Sequence, residues 1–150
     1  MTPTRLRLDV LAGTYAVCRL AGDRPIPPWA TAGAFASITR AADELSIVCL
    51  QELVPEGVRC ERGWRCLRVA GPLDFVLVGI LASLAATLAA ARISLFAVST
   101  FDTDYLLVRA DDLDGACSAL RSRGHSVEPE SDPGSRARAD VPPPSAPATP

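Results

Sequence analysis

Residues 64–127 switch between two hydrophobic periods in an order that leaves few folds open. Residues 64–70 form an alternating β run, and Gly71-Pro72 ends it with a proline that a helix tolerates in its first turn. Residues 72–91 then read as a helix, with Leu77, Leu81, Leu84 and Leu88 along one face. Residues 93–99 read as a strand, 100–103 as a turn and 105–109 as a third strand, all rich in β-branched or aromatic side chains. Asp111 is placed to cap a second helix in which Leu113, Ala116, Cys117 and Leu120 recur at helical spacing. Gly124 ends that helix, and 125–127 supply a short last strand. Strand, helix, strand, strand, helix, strand is the α+β, ferredoxin-like βαββαβ order.

The first half becomes legible when laid over the second. A shift of sixty positions sets Ile38-Thr39 on Val98-Ser99, 45–48 on 105–108, and Gln51-Glu52-Leu53 on Asp111-Asp112-Leu113. A shift of forty-nine sets 19–22 on 68–71. The eleven positions between those registers fall where the second half has its long helix, and Pro25, Pro27 and Pro28 forbid a regular helix in their place. The chain therefore reads as a worn internal repeat: a first, shortened module over 6–61, opened by an extra strand at 6–11, and a complete module over 62–127. Residues 128–150 carry seven of the thirteen prolines with no apolar periodicity and read as a disordered tail.

Composition narrows the function. Net charge is -2, and the fifteen basic residues, all arginine, are scattered singly, so nucleic acid is not an expected partner. The five cysteines contain no C-x-x-C pair and mostly sit in apolar runs, which suggests buried thiols in a reducing compartment; Cys60 and Cys66 alone invite a disulfide or metal half-site across a linker. No histidine stands near them, and no metal or cofactor is expected. Residues 1–9 have no apolar h-region, so no signal peptide is expected. Residues 75–91 lack charge for seventeen positions, the lower limit for a membrane span, but their alanines, Gly79 and Ser83 fit a helix packed on a sheet better. A cytoplasmic protein without membrane contact is expected.

Several runs carry a family resemblance: GTYAVCRL at 13–20, IPPW at 26–29, FASITR at 35–40, ELSIV at 44–48, GWRCLR at 63–68, GPLDF at 71–75 and STFDTDY at 99–105. Together they resemble the small bacterial tandem ACT-domain proteins, a family similar to the aspartate kinase regulatory region and to the CASTOR-type arginine sensors. The resemblance covers about 6–127, and Ser-Thr-Phe-x-x-Asp is its most specific motif. It implies an allosteric, amino-acid-binding regulatory or sensor protein, a homodimer or other homo-oligomer, with a regulated enzyme as a further partner class.

An amino acid presents a carboxylate and an ammonium, so its site needs exposed N–H groups beside acceptors. Gly71 permits close backbone approach, and the free N–H groups around Leu73, Asp74 and Phe75 suit a carboxylate. The turn that includes Thr100, Phe101, Asp102 and Asp104 offers hydroxyls, carbonyls and carboxylates to a cation. The resemblance implies a ligand lying between modules, which brings in Ser37, Ile38 and Thr39 and sets Thr39 against Asp104 on opposite walls. In the arginine sensors acidic residues occupy the helical turn where Val76 and Leu77 stand here, which puts arginine in doubt and leaves a neutral amino acid fitting equally well.

Plainer roles compete with these. Asp74 serves the helix dipole equally, Gly71 a helix start, and Asp102 and Asp104 a turn. Trp29 and Trp64 read as core or module-interface anchors, and His125, after a helix-ending glycine, as an exposed turn residue. No catalytic residue is expected. A non-ligand-binding dimerisation or docking module remains the alternative, and a small hydrolase on the same fold is remote, because no arginine stands in the Gly71-Pro72 loop and no nucleophile-base pair is visible.

Overall fold

The structure, a computed structural model, describes residues 4–71 and 78–130. The first half contains β1 (Arg7–Val10), β2 (Tyr15–Leu20), a 3-10 turn at Pro28–Thr31, β3 (Ser37–Arg40), β4 (Leu45–Leu50) and a second 3-10 turn at Gln51–Leu53. Then come β5 (Cys60–Val69), α1 (Ile80–Ala90), β6 (Leu95–Ser99), β7 (Asp104–Arg109), a 3-10 turn at Ala110–Asp112, α2 (Leu113–Ser122) and β8 (Ser126–Pro129). The α+β, ferredoxin-like order is as the periodicity predicts, in two modules of which the first lacks a full-length first helix. The prolines at 25, 27 and 28 explain that loss: Pro28 opens a single 3-10 turn where the second half builds α1.

All eight strands of the described residues join one sheet. In the first half the order is β5, β2, β4, β3, with Tyr15 opposite Trp64 and Cys18 opposite Cys60. In the second it is β1, β5, β7, β6, with Leu8 opposite Val69 and Trp64 opposite Arg109. The ten-residue β5 thus ends one module and begins the other, so it runs through the 61/62 boundary. The extra strand at the N-terminus does not extend the first half. It inserts between β5 and β8, antiparallel to one and parallel to the other.

Period-2 alternation sends neighbouring side chains of this sheet into different cores. Leu67, Val69, Leu106 and Val108 face the helices and pack with Leu84, Leu88, Ala116 and Leu120. Trp64, Cys66 and Leu107, on the opposite face, pack with Tyr15, Phe35 and Val48 of the first half. Ala16, Cys18, Leu45, Ile47 and Cys49 form a third cluster closed by Ala30 and Val54. The middle cluster is the seam between the two modules, and Trp64 anchors it, whereas Trp29 packs against the third.

Several local expectations change. Residues 72–77 of the expected first helix lie outside the described residues, and α1 begins at Ile80 because Gly79 before it takes a left-handed conformation (φ 81°) that a regular helix cannot include. Asp111 lies in the 3-10 turn, and α2 starts with no side-chain cap. Glu128 and Pro129, assigned to the tail, continue β8 opposite Asp9 and Val10. Cys60 and Cys66 share one extended strand, which holds them roughly 20 Å apart, and all five cysteines are free. His125 is buried, its Nδ1 accepting the Leu6 N–H at 3.1 Å, because the strand after Gly124 turns it under β1 instead of out to solvent.

Candidate functional site

The edges of the two modules face each other. Among the described residues β3 pairs only with β4, and β6 only with β7, so each presents an unpaired row of backbone N–H and C=O groups. Between them lies a cleft of about 300 Å³, lined by residues 37–39 with Ser46 and Val48 on one side and residues 96–99 on the other. Ser37 stands opposite Val48 and Thr39 opposite Ser46 across the β3/β4 ladder, so these four side chains share the seam face. Ile38 points the other way, into the third core. The second wall is Phe96 and Val98, which share the face of Leu107 and Tyr105. The lining thus combines hydroxyls, free strand-edge backbone and a small apolar wall, with no ionisable side chain.

The two walls are repeat equivalents. The 3-10 turns at Gln51–Leu53 and Ala110–Asp112 set the repeat at fifty-nine positions, one short of the sixty expected from identities. At that spacing residues 37–39 correspond to 96–98, and the cleft is a pseudo-symmetric seam.

Of the expected site residues, the fold gathers Ser37, Ile38 and Thr39 on one wall. Asp104 stands behind the other: it accepts the Ser99 hydroxyl at 2.6 Å, and Ser99 is the residue that meets the cleft. Thr100 closes the turn through its N–H and hydroxyl, both donating to the Thr103 carbonyl. Phe101 and Asp102 are exposed at the turn's tip, and neither lines the cleft. Gly71 lies past the end of β5, and Leu73, Asp74 and Phe75 lie outside the described residues. Thr103, absent from the expectation, is buried and donates to the Val69 carbonyl at 2.6 Å, which ties this turn to the end of β5 near Gly71. Ser46, Val48, Phe96 and Val98 were also missed. Their nearest signal was the repeat, although its sixty-position register set Ile38-Thr39 on Val98-Ser99, one place away from the facing that the structure has.

Beneath the cleft the seam is aromatic. Phe35 stacks on Tyr105 at 4.2 Å and 17°, and Tyr15 meets Phe35 edge-on at 5.8 Å. Arg109 lies over the Trp64 ring at 4.3 Å, a cation–π contact. Burial raises the Tyr15 and Cys66 ionisations well above their ordinary values, so this core stays neutral. In the third core, burial and then the neighbouring Cys49 and Cys60 push the Cys18 thiol up to about 12. These are packing thiols and not nucleophiles. Among the described residues no group of three or more His, Cys, Asp or Glu is placed to hold a metal, and no helix is long and apolar enough to cross a membrane.

The family model of the ACT domain matches residues 59–122, and a separate N-terminal-domain model matches 13–57. Protein Atu0741 from Agrobacterium tumefaciens, known from its crystal structure, is 44% identical and superimposes with a TM-score of 0.81 over 87% of this chain and 97% of that one. The chain belongs to the ACT-domain family. Among ACT relatives, the human cytosolic arginine sensor for mTORC1 subunit 1 is 43% identical over 61 residues, 40% of this chain and 18% of the sensor. The match therefore spans under a fifth of that curated relative. The ligand-free regulatory subunit of aspartate kinase from Thermus thermophilus shares the ACT fold, with a TM-score of 0.52 at 11% identity over 82% of this chain and 99% of that subunit.

Proposed function

We propose that the protein is a cytoplasmic sensor that binds a small neutral amino acid in the cleft between β3 and β6 and passes that occupancy to its own assembly or to a partner enzyme. The observation that carries this reading is the facing pair of unpaired strand edges, residues 37–39 and 96–99, beside the hydroxyls of Ser37, Thr39 and Ser46. An α-carboxylate needs N–H and O–H donors, and an ammonium needs carbonyls. Strand edges supply both at fixed spacing. Binding there would bridge the modules, and so couple ligand to the angle between them.

The neutrality of the lining favours a neutral side chain over arginine: a guanidinium in this cleft would meet no carboxylate directly and would lose hydration without compensation. Membership of the ACT family and the relation to an arginine sensor and to an aspartate kinase regulatory subunit support the regulatory class, not the ligand's identity. Phe96 and Val98 support a small apolar group against that wall.

Thermal unfolding against the twenty amino acids tests the reading. A true ligand at a hundredfold excess over its dissociation constant should stabilise the fold by about 2.7 kcal/mol. Thr39→Val should remove about 1 kcal/mol of that gain while leaving unliganded stability near that of the parent. An intact protein that responds to no amino acid would sink the proposal.

A further inference from the structure

A second pocket lies on the opposite, helical side of the sheet, remote from the seam. It holds about 190 Å³ between α1 and the turn that follows α2, and is lined by Ser83, Ala86, Thr87, Arg123 and His125. We propose that this pocket binds a phosphate group.

The pocket carries more hydrogen-bond donors than acceptors on its polar side chains. His125 is 8% exposed, and its Nδ1 accepts the Leu6 N–H at 3.1 Å. That bond fixes the neutral tautomer with the proton on Nε2, leaving an N–H donor on the far side of the ring. Arg123 adds a guanidinium fork. Arg5 stands at the same turn, its Nε 3.9 Å from where a Cβ would sit on Gly124. Among the described residues neither Arg5 nor Arg123 has an ion pair, whereas Arg7, Arg19 and Arg109 each have one. Ser83 contributes a hydroxyl, and Thr87 is held in place by its own bond to the Ser83 carbonyl at 2.9 Å.

No carboxylate lines the pocket. A hydroxyl from α1, an imidazole and a guanidinium line this one pocket from different elements, and a guanidinium can pair two oxygens of a phosphate at once. The volume of about 190 Å³ admits an inorganic phosphate or the phosphoryl end of a monoester. Bound there, the anion would clamp α1 to the C-terminal end of α2 and to the strand β1 that His125 holds.

Calorimetric titration of the full chain with inorganic phosphate, and separately with methyl phosphate, tests this at constant ionic strength set by chloride. Saturable one-to-one binding of phosphate is expected. Arg123→Gln should weaken it at least tenfold. Ser83→Asp, on an exposed helical position that leaves the fold intact, should abolish it by placing a carboxylate in the pocket. Arg24→Gln, on the remote Pro-rich turn, should change nothing. Binding of methyl phosphate as well would assign a terminal phosphoryl group; its exclusion would assign the free ion. Absence of saturable phosphate binding, equal loss in Arg24→Gln and Arg123→Gln, or undiminished binding by Ser83→Asp would overturn the proposal.

Discussion

Phe35, from the connection before β3, stacks on Tyr105 of β7 with ring centroids 4.2 Å apart. The two residues come from different modules, and the Tyr105 hydroxyl in turn accepts the Arg68 Nε–H at 3.2 Å. The stack therefore sets the height of β3 against β6, and with it the width of the cleft. Phe35→Ala should destabilise the fold by about 3 kcal/mol, the range for deleting a buried aromatic, as read from the urea midpoint. Phe35→Leu should lose clearly less. Equal losses for the two would mean that the ring contributes its stacking geometry and not its volume.

Within the cleft, Ser37 and Thr39 present their hydroxyls to the seam, while Asp104 is separated from it by Ser99. For any amino acid that binds, Ser37→Ala and Thr39→Val should each weaken affinity by about 1 kcal/mol, the net worth of one hydrogen bond. Asp104→Ala should act only through the position of Ser99, and so cost less than either. Calorimetry on the three variants decides it: a larger loss at Asp104 than at Thr39 would move the site to the 100–104 turn.

Arg92 is the one non-glycine residue of those described with a left-handed backbone, at φ 60°. It follows α1, where its N–H donates to the Ala89 carbonyl at 2.9 Å and the Ile93 N–H to Leu88 at 3.0 Å, closing the helix end. A side chain there carries steric cost that glycine avoids. Arg92→Gly should raise stability by roughly 0.5–1 kcal/mol, and a destabilised variant would show that the exposed guanidinium has a role the backbone argument omits.

The order of elements was legible because each strand and helix has its own hydrophobic period, and the repeat because both hairpins carry similar β runs. Its register was one position off, since identities between 45–48 and 105–108 do not report which face each residue takes, and 45–48 match 104–107 in facing. What could not be read was partnering. Nothing in the run 6–11 says that it will insert between β5 and β8, since any strand of alternating residues fits either edge. Gly79 looked like a small residue inside a helix, because its positive φ has no signature in an alanine-rich run. His125 looked exposed because the bond that buries it comes from Leu6, more than a hundred positions away. For the cleft, one wall was found by resemblance, and the other was already present in the repeat alignment but was assigned to a strand instead of to a site.

The thiols give a direct test of the cores. Burial raises the Cys18, Cys49, Cys66 and Cys117 ionisations, and Cys60 alone is half-exposed. A thiol reagent at neutral pH should modify Cys60 first and the other four only with unfolding. Prompt modification of Cys66 in the folded protein would contradict a packed seam.

His125 makes stability depend on pH in a predictable sense. Burial lowers its folded ionisation below the ordinary 6.5, so as pH falls the unfolded chain takes up the proton first. The unfolded state then binds more protons, and stability rises with pH across that window. The contribution is complete above about pH 7 and diminishes as pH falls below the unfolded value. Protonation in the fold also removes the acceptor for the Leu6 N–H, since Nδ1 would then carry hydrogen. His125→Gln keeps an acceptor in the amide oxygen but cannot titrate, so its urea midpoint should change less between pH 7.5 and pH 5 than that of the parent in phosphate-free buffer. Parallel pH profiles for the two proteins would show that His125 opens to water at little cost.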